Sequence, residues 1–87
     1  MIAYKKIYID FFDYTTADWI PCENCGATSI DIHHLLFKSQ GGKDEPSNLI
    51  ALCRECHNEA HKSRSYNEKL KLIHSKHYER HEETQSR

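Results

Sequence analysis

Apolar residues in the first dozen positions recur with a helical period. Tyr4, Ile7, Tyr8 and Phe11 stand at i, i+3, i+4 and i+7, while Lys5, Lys6, Asp10 and Asp13 turn the other way. This predicts an amphipathic helix over about residues 4–12. A strand alternating Ile7, Ile9 and Phe11 would leave Tyr8 and Phe12 on the wrong face. The period then changes. Residues 29–37, rich in β-branched and apolar side chains, predict a strand; 39–47, with Gly41, Gly42 and Pro46, a polar loop; and 48–52 a second strand. Residues 54–62 lack proline and glycine and suit a short helix. After a break at 63–65, Ser65 and Glu68 have the spacing of a capping box and open a helix to about residue 81, with Tyr66, Leu70, Ile73 and His77 as its buried stripe. From about Glu82 the chain is polar, a frayed tail. Trp19, Phe37, Leu49 and Leu52 are expected in the core. The fold class is small α+β.

Length adds a constraint. Eighty-seven residues are expected to form a single domain, 1–87, and so short a chain buries little apolar surface against the entropy of ordering it. It needs a staple. No apolar run approaches the roughly 18–20 residues that cross a bilayer, and Met1–Asp10 contains no uninterrupted apolar stretch of the signal-peptide kind. The expectation is a cytoplasmic protein with no membrane contact.

In a reducing compartment disulfides are rare, so the four cysteines read as metal ligands. Cys22 and Cys25 form one C-x2-C knuckle, followed by Gly26, free to take the positive φ that tightens the turn; Cys53 and Cys56 form the other. The 27 residues between Cys25 and Cys53 leave room for a structured insertion, and a β-hairpin fits. The chain is thus zinc-stapled.

Net charge is only −1, yet it is unevenly placed. Residues 1–31 carry a balance of −3 and the remainder +2. Within residues 60–78, Lys62, Arg64, Lys69, Lys71 and Lys76 oppose only Glu68, a local face attractive to phosphates, although such a run is more often a solvated helix surface.

Four of the seven histidines fall between Ile30 and His61. On a helix His57 and His61 share a face, whereas Cys56 and His57, about 100° apart, point to different places. Two metal sites follow: a closed structural one of Cys22, Cys25, Cys53 and Cys56, and a second at His57. The pair His33-His34 is the natural source of further ligands. Strand alternation sends neighbours to opposite faces, so both reach one site only if the strand ends, bulges or bends at His34. One imidazole would then coordinate metal and the other take a proton from water, a pairing suited to phosphodiester hydrolysis.

Asp31-Ile32-His33-His34-Leu35, then Gly41-Gly42, then Asn48 through His57, preceded by Cys22-x-x-Cys25, resemble the HNH endonuclease family in its zinc-ribbon branch, common among small phage and prophage proteins. The resemblance covers residues 22–61 closely. It implies a ββα-metal core with flanking N- and C-terminal helices, one structural zinc, one catalytic divalent ion (Mg²⁺, Mn²⁺, Ni²⁺ or Zn²⁺), and DNA as substrate. It makes His34 the general base, His33 and His57 metal ligands, and Asn48 the residue that holds the loop around His34. His61 matches members with H-x3-H on this helix. Asp31, on the face of His33, is either a partner orienting an imidazole or a further ligand. His74, His77 and His81 are read as solvated or packed rather than as a third site.

Lys38, Lys43, Lys62 and Arg64, beside the motif, are candidates for phosphate contacts. A monomer is expected, and phage packaging proteins are partners suggested by the resemblance alone. The rival from another class is a non-catalytic zinc-ribbon module that binds DNA or a protein partner.

Overall fold

A computed structural model describes residues 3–15 and 17–85. Helix α1 (Ala3–Phe11) is followed by the first knuckle, strand β1 (Asp31–His34), a loop with two 3-10 turns (Lys38–Gln40 and Pro46–Asn48), strand β2 (Leu49–Leu52), helix α2 (Arg54–Lys62) and helix α3 (Arg64–Gln85). The two strands pair antiparallel, with Asp31 opposite Leu52 and His34 opposite Leu49. Both are shorter than the sequence suggests: Asn48 closes a 3-10 turn rather than opening β2, and the chain leaves β1 after His34.

β2 is the centre of the molecule. All four of its residues are buried, because its two faces serve two cores. Ile50 and Leu52 pack with Cys22, Leu35, Cys56, Ala60 and Leu70 on the side of α2 and α3. Leu49 and Ala51 pack with Tyr8, Ile9 and Phe12 on the side of α1. A continuous apolar run in place of alternation is the sequence signature of a strand covered on both faces.

α3 begins one residue after α2 ends. The hinge is Ser63, whose extended backbone stops α2 and whose Oγ accepts the Tyr66 N–H at 3.2 Å, so Ser63 does the capping expected of Ser65, and Glu68 pairs with Lys71 instead. The fully buried positions of α3 are Asn67, Leu70 and His74, with Tyr66, Ile73 and His77 partly buried beside them. Two polar residues occupy the centre of the stripe because each is bonded on both sides. Asn67 spans from Leu35 O to His33. His74 Nδ1 donates to Glu23 at 2.9 Å, its Nε2 donates to Pro46 O at 2.7 Å, and Tyr8 Oη reaches the same carboxylate at 2.6 Å. This buried network joins α1, the first knuckle, the hairpin loop and α3. His77 lies ring on ring with Phe12, and His81 donates to Phe11 O, so all three histidines of α3 are packed.

Trp19 departs from expectation. Its indole is 61% exposed, held at the surface by a 2.9 Å bond from Nε1 to Thr28 Oγ1, while the neighbouring Ile20 packs on the α1 core. Among the described residues no helix is long and apolar enough to cross a membrane.

Candidate metal centres and histidine pocket

The sulfurs of Cys22, Cys25, Cys53 and Cys56 lie within 4.8 Å of one another, and none is in a disulfide. Cys25 Sγ and Cys53 Sγ are 3.7 Å apart, close to the roughly 3.8 Å between sulfurs on a tetrahedral zinc with bonds of about 2.3 Å. The first knuckle is tightened as its glycine predicts: Gly26 takes φ 83° and its N–H returns to Cys22 O at 3.0 Å. The second knuckle is also the start of α2, where Cys53 caps the helix and its Sγ accepts from the Cys56 N–H. Sulfurs packed this closely compete for negative charge. The Cys56 N–H steadies Cys53, but burial and the neighbouring sulfurs outweigh it and push the Cys53 thiol up to about 12. Burial opposes the Cys56 thiolate, yet bonds from Asn24, Tyr66 and the adjacent thiols bring it down to about 7. The donor set fits a divalent cation, which would make four adjacent thiolates tenable.

The second cluster is histidine. Ring nitrogens of His33, His57 and His61 lie within 4.8 Å of one another, and these three line a small open pocket of about 180 Å³ together with His34, Tyr4, Phe37 and Lys38. His33 is only 2% exposed. Its Nε2 is bonded to Asn67 Oδ1 at 2.8 Å; because the Asn67 amide donates to Leu35 O, that oxygen must accept, so Nε2 carries the hydrogen and Nδ1 keeps the lone pair. Burial pushes the His33 ring down to about 4, with the neighbouring His57 and His61 adding to the effect and the Asn67 bond opposing it. At neutral pH it is an uncharged imidazole, the form that ligates metal.

Asp31 and His33 share a face of β1, as the alternation requires, and Asp31 meets α2. Its Oδ2 accepts from Arg54 Nε and from His57 Nδ1, each at 2.9 Å. His57 Nε2 then faces His61 Nε2 at 3.1 Å, two nitrogens converging on one point. Asp31 thus joins the His57 imidazole to the Arg54 guanidinium. Phe37, expected in the core, is half-buried and stacks on His61 with ring centroids 5.0 Å apart, a wall of this pocket.

His34 reaches the pocket without a bulge. As the last residue of β1 it points to the α1 face, edge-on to Tyr4 at 4.7 Å, and lines the same pocket as His33. Its Nε2 donates to Asp44 Oδ1 at 2.7 Å. Asn48 makes three bonds across the loop: its Oδ1 accepts from Leu36 N at 2.7 Å, and its amide donates to Leu36 O at 3.1 Å and Lys43 O at 3.0 Å. Of the four basic candidates, Lys38 lines the pocket and also pairs with Asp44 at 3.5 Å, Lys62 pairs with Glu59 at 3.8 Å, and Lys43 and Arg64 are exposed away from the pocket lining. Asp44, Asn67 and Phe37 are the neighbours that sequence reasoning did not place; an acid four residues before Asn48 in a loop carries no local signal.

Residues 22–63 match the profile of the HNH endonuclease family, so this stretch of the chain is an HNH endonuclease domain. Over 62 residues it is 34% identical to the type IV methyl-directed restriction enzyme EcoKMcrA of Escherichia coli (strain K12), an alignment covering 60% of this chain. The match spans only 22% of that enzyme's length.

Proposed function

We propose that this chain is a metal-dependent endonuclease that hydrolyses phosphodiester bonds in DNA, with residues 1–87 acting as one HNH domain. The observation that carries the reading is one pocket in which three histidine nitrogens converge and which a fourth histidine also lines. The HNH match over residues 22–63 supports nuclease chemistry, and the likeness to part of a restriction enzyme supports DNA as substrate.

His33, His57 and His61 would hold a divalent ion, which when bound offsets phosphate charge and steadies the leaving oxygen. The chain's own residues do the rest. His34, with one ring nitrogen bonded to Asp44 and the other available, takes a proton from water so that hydroxide attacks phosphorus. Asp31 keeps His57 turned towards His61. Asn48 fixes the loop on which the pocket's far wall depends, and Lys38 at the pocket meets phosphate. Cys22, Cys25, Cys53 and Cys56 would hold a zinc ion with no open position, a structural role.

The test is plasmid cleavage by wild type and His34→Ala, with Mg²⁺, Mn²⁺, Ni²⁺ or Zn²⁺ added in turn and zinc content measured for both. Metal-dependent nicking by wild type, lost in a variant that keeps its zinc, is the expected result. Equal behaviour of the two would refute the assignment of the base. DNA binding without cutting by either would favour a non-catalytic zinc-ribbon module.

A further inference from the structure

The loop between the strands carries an acid, Asp44, that none of the steps above uses. It is anchored more firmly than a surface loop needs to be. Three Asn48 bonds tie the loop to Leu36 and Lys43, the residue before Asp44. Gly42 lies so close to the Leu36 carbonyl that a Cβ there would run into it, and its N–H donates to Phe37 O at 3.0 Å. The Asp44 carboxylate is thereby delivered to His34, whose side chain is 11% exposed, at 2.7 Å; the contact to Lys38 through the same oxygen is longer, at 3.5 Å. That bond holds the Asp44 carboxyl below the usual carboxylate range, with burial opposing it and the Lys38 charge adding to it.

A neutral imidazole has one donor and one acceptor nitrogen, and an acceptor-only carboxylate on one of them decides which is which. We propose that Asp44 is a positioning residue for the general base: its bond to Nε2 fixes the ring orientation and the Nε2–H tautomer of His34, leaving the Nδ1 lone pair to receive the proton of water. In the step itself an O–H bond of water breaks, an N–H bond forms at Nδ1, and hydroxide remains; the imidazolium so formed keeps its Nε2–H on Asp44. The same logic operates wherever a carboxylate on one imidazole nitrogen sets the chemistry at the other. Asn48 then acts on catalysis at one remove, by holding Asp44 in place. This inference rests on the nuclease reading for its consequence, though not for its geometry.

The experiment compares wild type, Asp44→Asn and Asp44→Ala, each checked for bound zinc and native circular dichroism. An isosteric carboxamide can accept from Nε2–H or donate to Nε2, so Asp44→Asn keeps the shape of the loop and loses control of the tautomer. Plasmid nicking by Asp44→Asn should fall on the order of a hundredfold in kcat with KM within about threefold of wild type. Nitrogen-15 spectra of His34 in the neutral form should show hydrogen on Nε2 alone in wild type and a mixture of tautomers in both variants. Cutting within about threefold of wild type by both variants would overturn the proposal, as would a tautomer mixture already present in wild type. A rise in KM with kcat and nitrogen signals unchanged would also overturn it, marking Asp44 as a DNA-contact or loop residue. The spectra need no cutting, so failure of the nuclease reading, seen as inert wild type or as His34→Ala equal to wild type, is distinguishable from failure of this one.

Discussion

Asp31 Oδ2 and His57 Nδ1 lie 2.9 Å apart, and this bond fixes which nitrogen of His57 looks into the pocket. With Nδ1 engaged, only Nε2 is left to face His61, and the 3.1 Å between the two nitrogens follows. A strand residue thus sets the aim of a helix residue 26 positions away.

Replacing that carboxylate should loosen the histidine centre without touching the cysteine one. Asp31→Asn is expected to weaken divalent-ion binding at the histidines about 10- to 100-fold, measured by calorimetric titration, with bound zinc and far-UV circular dichroism unchanged. Arg54, which shares Asp31, is exposed, and Arg54→Ala should have a much smaller effect.

The two centres should also separate by what their loss does to the fold. His34→Ala should lose cleavage and keep its melting transition. Cys53→Ala removes both a ligand and the cap of α2 and should unfold, as should prolonged exposure to a strong chelator. Circular dichroism before and after chelation decides it; a chelated chain that stays folded would deny the cysteines their structural role.

The loop clamp predicts a combined effect. Asn48→Ala forfeits three partly exposed hydrogen bonds, a cost of about 2 kcal/mol and a fall in Tm of roughly 10 °C. Cleavage should fall further than that loss of stability explains when assayed well below the transition. Activity that tracks only the folded fraction would argue against the clamp's part in the chemistry.

Acid should act through His77. Its ring stacks on Phe12 with centroids 4.5 Å apart, and burial lowers its proton affinity, with His74, His81 and Arg80 acting the same way and Glu23 opposing. The unfolded chain, with a histidine pKa of about 6.5, therefore binds the proton first. The stability this group contributes is complete above that value and is lost as pH falls below it. Between pH 7.5 and 5.5 the Tm of wild type should drop more than that of His77→Phe at fixed zinc. Parallel curves would remove His77 from the account.

Local spacing made much of this protein legible. Two C-x2-C pairs, a histidine next to the last cysteine and a second four residues on encode ligand geometry within a turn or two of backbone, so they can be read without a fold. The helical period of α1 and the unbroken apolar run of β2 are local in the same sense. Contacts that depend on distant partners were not legible. Asn67 is polar in a helix and looks solvent-facing until His33 and Leu35 are placed against it, and Trp19 looks like core until its indole is found bonded to Thr28. Ser65 has the capping-box spacing in one dimension, yet Ser63 caps the helix, because its Oγ accepts the Tyr66 N–H where the chain turns between α2 and α3.

Cys53, Cys56, His57 and His61 all ride on the two and a half turns of α2, with Cys53 as its cap. On the nuclease reading, a freshly synthesised copy that has not yet captured zinc has no fixed helix on which to present His57 and His61 beside His33. On that reading such an immature copy would be harmless to the DNA around it, and metal supply would act as the licence for cutting.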